Sequence, residues 1–235
     1  MSVLRLAWLI ARKDLRIETR SRTALNQVLP FSVIVMVMFA FALERFPAPA
    51  RGGNTLLELV APGLVWLATL FSLVLLVQRA FAVESDDGAL DALRVAGVDP
   101  VGVFLGKTLA LAIQLAILEA LLLLAAIVLY GSHVRADGVV LLVGTWLAAT
   151  AGLAAVGTLY GGLAAGARGR ETLLPLLLLP AVAPVLIGAT RAVEAALGIE
   201  DTAIADGWPW LGVVTVFAVG FGAGGALAFG PLIDE

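Results

Sequence analysis

The sequence has no cysteine and a single histidine, His133, among 235 residues. The first absence excludes disulfides, thiolate metal sites, cysteine nucleophiles and covalent haem attachment through a CxxCH motif. The second excludes a metal centre built from protein histidines. Charge is scarce too: 14% of residues are Asp, Glu, Lys or Arg and the net charge is −3, against about 25% charged in a soluble domain. That balance gives no footing for nucleic acid as a partner. Apolar side chains fill the space: they make up 61% of the chain, against about 45–50% in a soluble domain. The mean hydropathy is +1.02 and the mass 24.3 kDa. A chain of this size has no soluble core large enough to hide them, so an all-α integral membrane protein is expected.

Six stretches are long enough to cross a bilayer, which takes about 20 apolar residues. They run over 24–43, 59–77, 105–130, 139–165, 173–192 and 208–233. Backbone groups in lipid must find partners within the segment, and these runs are too long for barrel strands, so they are read as helices. A cleaved signal peptide is the competing reading of the first. That run begins only after residue 23 and is too long for an h-region. The whole chain therefore reads as a single transmembrane domain.

Orientation follows from Lys and Arg. Before the first span lie Arg5, Arg12, Lys13, Arg16, Arg20 and Arg22; the second connection adds Arg79, Arg94 and Lys107, and the fourth adds Arg168 and Arg170. These eleven face Arg45, Arg51, Arg135 and Arg191 on the other side. Both termini are expected in the cytoplasm.

The polar residues that remain concentrate on that face. Residues 3–22 place Leu4, Trp8, Ala11 and Leu15 on one helical side and Arg12, Arg16 and Arg20 on another. This is the pattern of a basic helix lying in the membrane interface, and it also serves as a topogenic cluster drawn to anionic lipid. Asp14 and Glu18 are spaced to pair with its arginines. The connection from Arg79 to Lys107 carries Glu84, Asp86, Asp87, Asp91 and Asp99. Within it, 84–97 reads as a short helix with Leu90 and Leu93 on an apolar edge. Asp86 or Asp87 suits its start, Gly97 its end, and Pro100 the first turn of the following helix. Such a helix fits a groove in a soluble partner; a solvated loop is the other reading, and both stay open. Arg168, Arg170 and Glu171 sit at the membrane edge before the fifth span. Pro175, Pro180 and Pro184 inside that span predict a bent or broken helix.

Other features carry less. Gly102 to Thr108 imitates a phosphate loop but has three residues between its glycines where four are needed, and it leads into a span. Lys107 is expected to anchor the end of that span by snorkelling. Gln114 and Glu119 are the intramembrane polar residues. Glu119 raises the idea of a proton relay, but no second intramembrane acid or base offers a partner, and a hydrogen bond between helices is the plainer role. Gly157/Gly161, Gly162/Gly166 and Gly220/Gly224 permit close helix contact. Trp208 and Trp210 fit an interfacial belt. His133 reads as a surface residue of an outer loop and not as a haem ligand.

Taken in order, the cytoplasmic motifs resemble the haem exporter protein B family, membrane subunits of the cytochrome c maturation ABC system. The residues are Lys13-Asp14-Leu15-Arg16 with Glu18 and Arg20; Pro62-Gly63 with Trp66; Arg79, Phe81, Glu84, Gly88, Leu90, Asp91, Leu93 and Lys107; and Arg170-Glu171 with Leu173-Leu174-Pro175, Pro180 and Pro184. The likeness covers roughly 10–190. It implies an ABC-2 type permease of the inner membrane, without its own nucleotide site or directly bound cofactor. ATP would belong to a separate ATPase subunit of the haem exporter protein A type, and haem to partner subunits. Further partners implied are a haem-handling subunit of the C type, a small single-span subunit and a second copy of the chain. On this resemblance Arg79, Glu84, Asp87, Gly88, Leu90, Asp91, Leu93 and Arg94 would couple to the ATPase. Trp8, Arg12, Lys13, Arg16 and Arg20 would form the elbow helix. An ABC-2 permease for lipid, polysaccharide or drug is one rival reading and a secondary transporter another. The latter should show interrupted or charged helices in matching halves, and Glu119 and the fifth-span prolines do not match.

Overall fold

A computed structural model describes residues 2–22, 24–44, 55–86, 95, 97–132, 134–165 and 170–234. Among them are seven helices and no strand. Helix α1 (Val3–Ser21) precedes the six long apolar helices. These are α2 (Leu29–Glu44), entered through a π-helical turn at Ala24–Val28, α3 (Leu56–Asp86), α4 (Pro100–Tyr130), α5 (Val139–Ala165), α6 (Arg170–Leu197) and α7 (Ile204–Asp234). Each of the six is long and apolar enough to span a membrane, and the chain is a multi-pass membrane protein.

Several helices outrun the apolar stretches that announce them. At the start of α3, Thr55 N–H donates to Glu58 Oε2 at 2.9 Å and Glu58 N–H to Thr55 Oγ1 at 3.2 Å. This reciprocal cap satisfies two donors that the helix cannot. At the other end α3 continues past its apolar part to Asp86, and its 31 residues reach about 46 Å at 1.5 Å per residue. A bilayer core is roughly 30 Å thick, so α3 projects from it. Helix α4 begins at Pro100, with Val101 N–H donating to Asp99 Oδ1 at 2.9 Å. The prolines of α6 do not break it: the helix runs unbroken through Pro175, Pro180 and Pro184. Each proline removes one donor, while packing of α6 on α3, α5 and α7 holds the rest in place.

The core lies between α3, α4, α5 and α6, with Leu73, Leu115, Leu153 and Leu178 fully buried. Ser32 and Ser72 hydroxyls hydrogen-bond at 2.8 Å and tie α2 to α3, and Tyr130 O–H donates to the Met36 carbonyl at 2.9 Å. A second apolar cluster of Ile10, Val103, Phe104 and Phe229 joins α1, the start of α4 and the end of α7. It places both ends of the chain at one face of the bundle.

Glycines set the closest approaches. A Cβ on Gly106 would lie 2.7 Å from the Ala7 carbonyl oxygen and 2.7 Å from Ile10 Cβ, and one on Gly102 would lie 2.5 Å from Leu6. The two residues recognised as a false phosphate loop are thus the seat of α1 on α4. Gly157 and Gly161 do the same for α3, against Val77 and Phe81, whereas nothing lies within 4 Å of Gly220 or Gly224. Gly106→Val should destabilise the chain by about 1–3 kcal/mol, as overpacking does, because the blocking atom is backbone. Gly220→Ala should leave stability unchanged or slightly raised. Thermal unfolding in detergent, followed by tryptophan fluorescence, distinguishes the two; equal midpoints would remove the seat assigned to Gly106.

Candidate functional site

Helix α1 does not present the face expected of it. Ala7, Ile10 and Ala11 are buried against α4, while Leu4 and Trp8 are 77% and 55% exposed. The helix has two apolar sides. The small one packs on protein, where Gly102 and Gly106 let the backbones close up. The bulky one, with Trp8, is left for the membrane interface. Arg12, Arg16 and Arg20 are exposed on the polar side.

This packing carries Asp14 to a point directly over Lys107. Lys107 lies seven residues into α4, about 10 Å from its start at 1.5 Å per residue. It does not snorkel: its side chain is 3% exposed, and Nζ donates to Asp14 Oδ2 at 3.4 Å. The reason is the lid that α1 forms between this lysine and water. Asp14 Oδ1 pairs at 3.0 Å with Lys13, so one carboxylate of α1 serves two lysines. Lys107 Nζ also sits 4.6 Å from the centroid of the Phe81 ring of α3. A desolvated cation over an aromatic face contributes roughly 0.5–2 kcal/mol. Phe81 can stand there because Gly161 of α5 leaves room beside it. Three elements, α1, α3 and α4, therefore meet at one buried charge.

A small cavity of about 50 Å³ lies beside this junction, lined by Glu18, Arg79, Gln114 and Thr158 together with Asp14, Phe81 and Lys107. The structure brings together Lys13, Asp14, Glu18, Arg79, Phe81 and Lys107, residues from three separate cytoplasmic motifs. Gln114 belongs here as well. Glu119 does not: five residues further along α4 its side chain turns to another part of the bundle, where it hydrogen-bonds with Thr150 Oγ1 of α5. The bond between helices foreseen for Glu119 is present. Glu84 falls on the last turn of α3, and Arg170 and Glu171 open α6. Asp87, Gly88, Leu90, Asp91, Leu93, Arg94, His133 and Arg168 lie outside the described residues.

What sequence reading missed was the use of Gly102 and Gly106 and of the Phe81 ring. The glycine spacing was a signal; nothing in the sequence joined Phe81 to Lys107. The arrangement ties Lys107 of α4 to Asp14 of α1 and to the Phe81 ring of α3. A displacement of α4 against α1 would separate Lys107 from Asp14, and one of α3 against α4 would move the Phe81 ring off Lys107. Asp14→Ala leaves a buried ammonium with less compensation and should cost at least about 1 kcal/mol more than Lys107→Met, which removes the charge and keeps the bulk. The double variant should recover part of the loss. Unfolding midpoints of the three proteins measure this, and a milder effect for Asp14→Ala would contradict the pairing.

The profile of the family described as CcmB protein matches residues 5–229. Heme exporter protein B of Paracoccus denitrificans is 30% identical over 190 residues, 77% of this chain and 79% of that protein. The protein of that name in Rhodobacter capsulatus is also 30% identical, with 82% and 83% covered. The one from Haemophilus influenzae is 29% identical over 80% of each. On a match that runs through all seven helices, the chain belongs to the CcmB protein family.

Proposed function

We propose that the chain is the membrane subunit of a haem exporter serving cytochrome c biogenesis, driven by a separate ATPase subunit and seated in the bacterial inner membrane. The observation that carries the first part is the name Heme exporter protein B on relatives that match about four-fifths of both chains. The mechanical part rests on the junction at Lys107. The segment between α3 and α4 is the longest cytoplasmic connection, and its acids and the Leu90–Leu93 edge suit a cleft of the ATPase. Force applied there enters two long helices that Phe81 and Lys107 cross-link. Asp14 passes it to α1, the proposed interfacial helix. ATP and haem stay with partner subunits in this scheme, and the present chain makes no bond with either. A haem-handling subunit, a small single-span subunit and a second copy of the chain complete the proposed assembly. A two-fold pair of permeases fits a two-fold pair of ATPases.

The scheme separates docking from transmission. Leu90→Asp with Leu93→Asp should abolish co-purification of the ATPase subunit with the tagged chain, while membrane insertion persists. Lys107→Met should keep co-purification and lower cytochrome c assembly by about tenfold or more in a deletion strain. Haem-stained c-type cytochromes provide the readout. Retention of the ATPase by the double aspartate variant would refute the docking segment. Normal cytochromes in a deletion strain would refute the exporter itself.

A further inference from the structure

A second and larger cavity lies in the outer half of the bundle, between α3, α4, α5 and α6, and has no part in the scheme above. Its volume is about 240 Å³. The wall is mostly apolar, with Trp66, Leu123 and Leu142, and extends from Ser132 and Val134 at the outer end to Glu119. Glu119 lies eleven residues before the end of α4, hence about 17 Å in at 1.5 Å per residue. Ala120 and Val143, both exposed, stand at the side of the cavity.

Polar groups interrupt this wall without being satisfied. Glu119 is 3% exposed and Thr69 0%. Glu119 Oε1, Thr69 Oγ1 and the Trp146 indole nitrogen are buried and none has a partner in good hydrogen-bond geometry, the indole N–H facing the Glu119 carboxyl without closing a well-formed bond. Native proteins rarely leave such atoms unpaired, and a cluster of them around one space needs an explanation. The other carboxyl oxygen is used: Oε2 meets Thr150 Oγ1, which also lies 2.7 Å from the Trp146 carbonyl. That hydroxyl has one hydrogen for two acceptors. The set is complete when the carboxyl brings a hydrogen of its own, leaving Oε1 to accept and the indole N–H to donate.

The missing partner is defined by subtraction. A hydrocarbon tail would leave all three atoms unpaired. An ammonium could donate to Glu119 but would face the Trp146 N–H as donor to donor. A carboxylate would stand against Glu119. A hydroxyl both donates and accepts, and the apolar wall suits a short chain behind it. The volume, below the roughly 300–1,000 Å³ that drug-sized ligands use, suits a small occupant. We infer that this cavity binds an uncharged amphipath, a short apolar chain whose hydroxyl donates to Glu119 Oε1 and accepts from the Trp146 indole N–H. The site is independent of haem export and stands if that reading fails.

The test uses the full chain in lipid nanodiscs and 3-azioctanol, a photoreactive alcohol, as probe. Saturable adducts are expected in the peptides around Trp66, Leu123 and Leu142. Octanol should displace the probe at concentrations at least tenfold below those at which octane does. Trp146→Phe keeps the aromatic wall and removes the N–H, so it should raise the octanol concentration needed by about tenfold, the loss of one buried hydrogen bond. Glu119→Leu should abolish protection. If that variant does not fold, Trp146→Phe decides. Equal competition by octane would overturn the head-group recognition. Adducts scattered over the lipid-facing Val216 and Val219, or none in the cavity, would mean that water or nothing fills it and would overturn the site. Competition by 1-oleoylglycerol in the nanodisc would identify the bilayer as the source of the alcohol, and competition by octanol alone a free small molecule.

Discussion

The constraint on which the cytoplasmic half depends is the burial of one lysine. An ammonium withdrawn from water is costly unless its charge is met at close range, and Lys107 is met by Asp14 and by the face of Phe81. Neither partner belongs to the same helix. The lysine therefore fixes where α1 lies, which way it is rotated and how α3 stands against α4. Gly102 and Gly106 belong to the same constraint. Without the close approach they permit, Asp14 would remain in the interface and Lys107 would reach past it to water. Gly161 contributes from the far side by making room for the Phe81 ring.

On the proposed reading this gives a subunit of a transporter a way to be specific through its packing. Its functional residues need not touch a substrate. They need to hold three helices in a relation that a push from outside can change. A salt bridge with 3.4 Å between its atoms and one partly exposed member suits that purpose better than a tightly sealed one. On the proposed reading, the exposed faces of α2 and α7 then matter as surfaces for lipid and for the other subunits. Among the described residues, nothing lies within 4 Å of a Cβ at Gly220 or Gly224 on α7.

Much of the fold was legible because lipid leaves few solutions. Runs of about 20 apolar residues must become helices, and the six are where hydropathy places them. Helix ends were less legible, since caps such as Thr55 with Glu58 depend on polar residues outside the apolar pattern. The face of α1 was legible only in part, for a different reason. Periodicity marks apolar positions but does not separate those that meet protein from those that meet lipid. In α1 that division falls between small side chains (Ala7, Ala11) and large ones (Leu4, Trp8). Lys107 was misread because snorkelling assumes open water at the helix end, and the sequence holds no sign that α1 covers it. The motif residues were legible as a set while their meeting was not. Asp14, Phe81 and Lys107 are 67 and 26 residues apart along the chain, and only the packing of three helices brings them within reach.

Helix α4 separates two kinds of polar business by rotation alone. From Lys107 to Gln114 is seven residues, close to two full turns, so both face the same small cavity under α1. From Gln114 to Glu119 is five, which at 100° per residue turns the side chain well away, toward α5 and the outer cavity. The two sites thus share a rigid rod without sharing a surface. A shift of α4 driven from the cytoplasmic end would move Glu119 against Thr150 and Trp146 of α5, and so change the shape of the cavity that they wall. The hydroxyl-bearing occupant inferred there would then resist that movement in proportion to how tightly it holds both helices. Any ligand that binds one arrangement better than the other shifts the balance between them. By linkage, force on the cytoplasmic segment would alter its affinity in return.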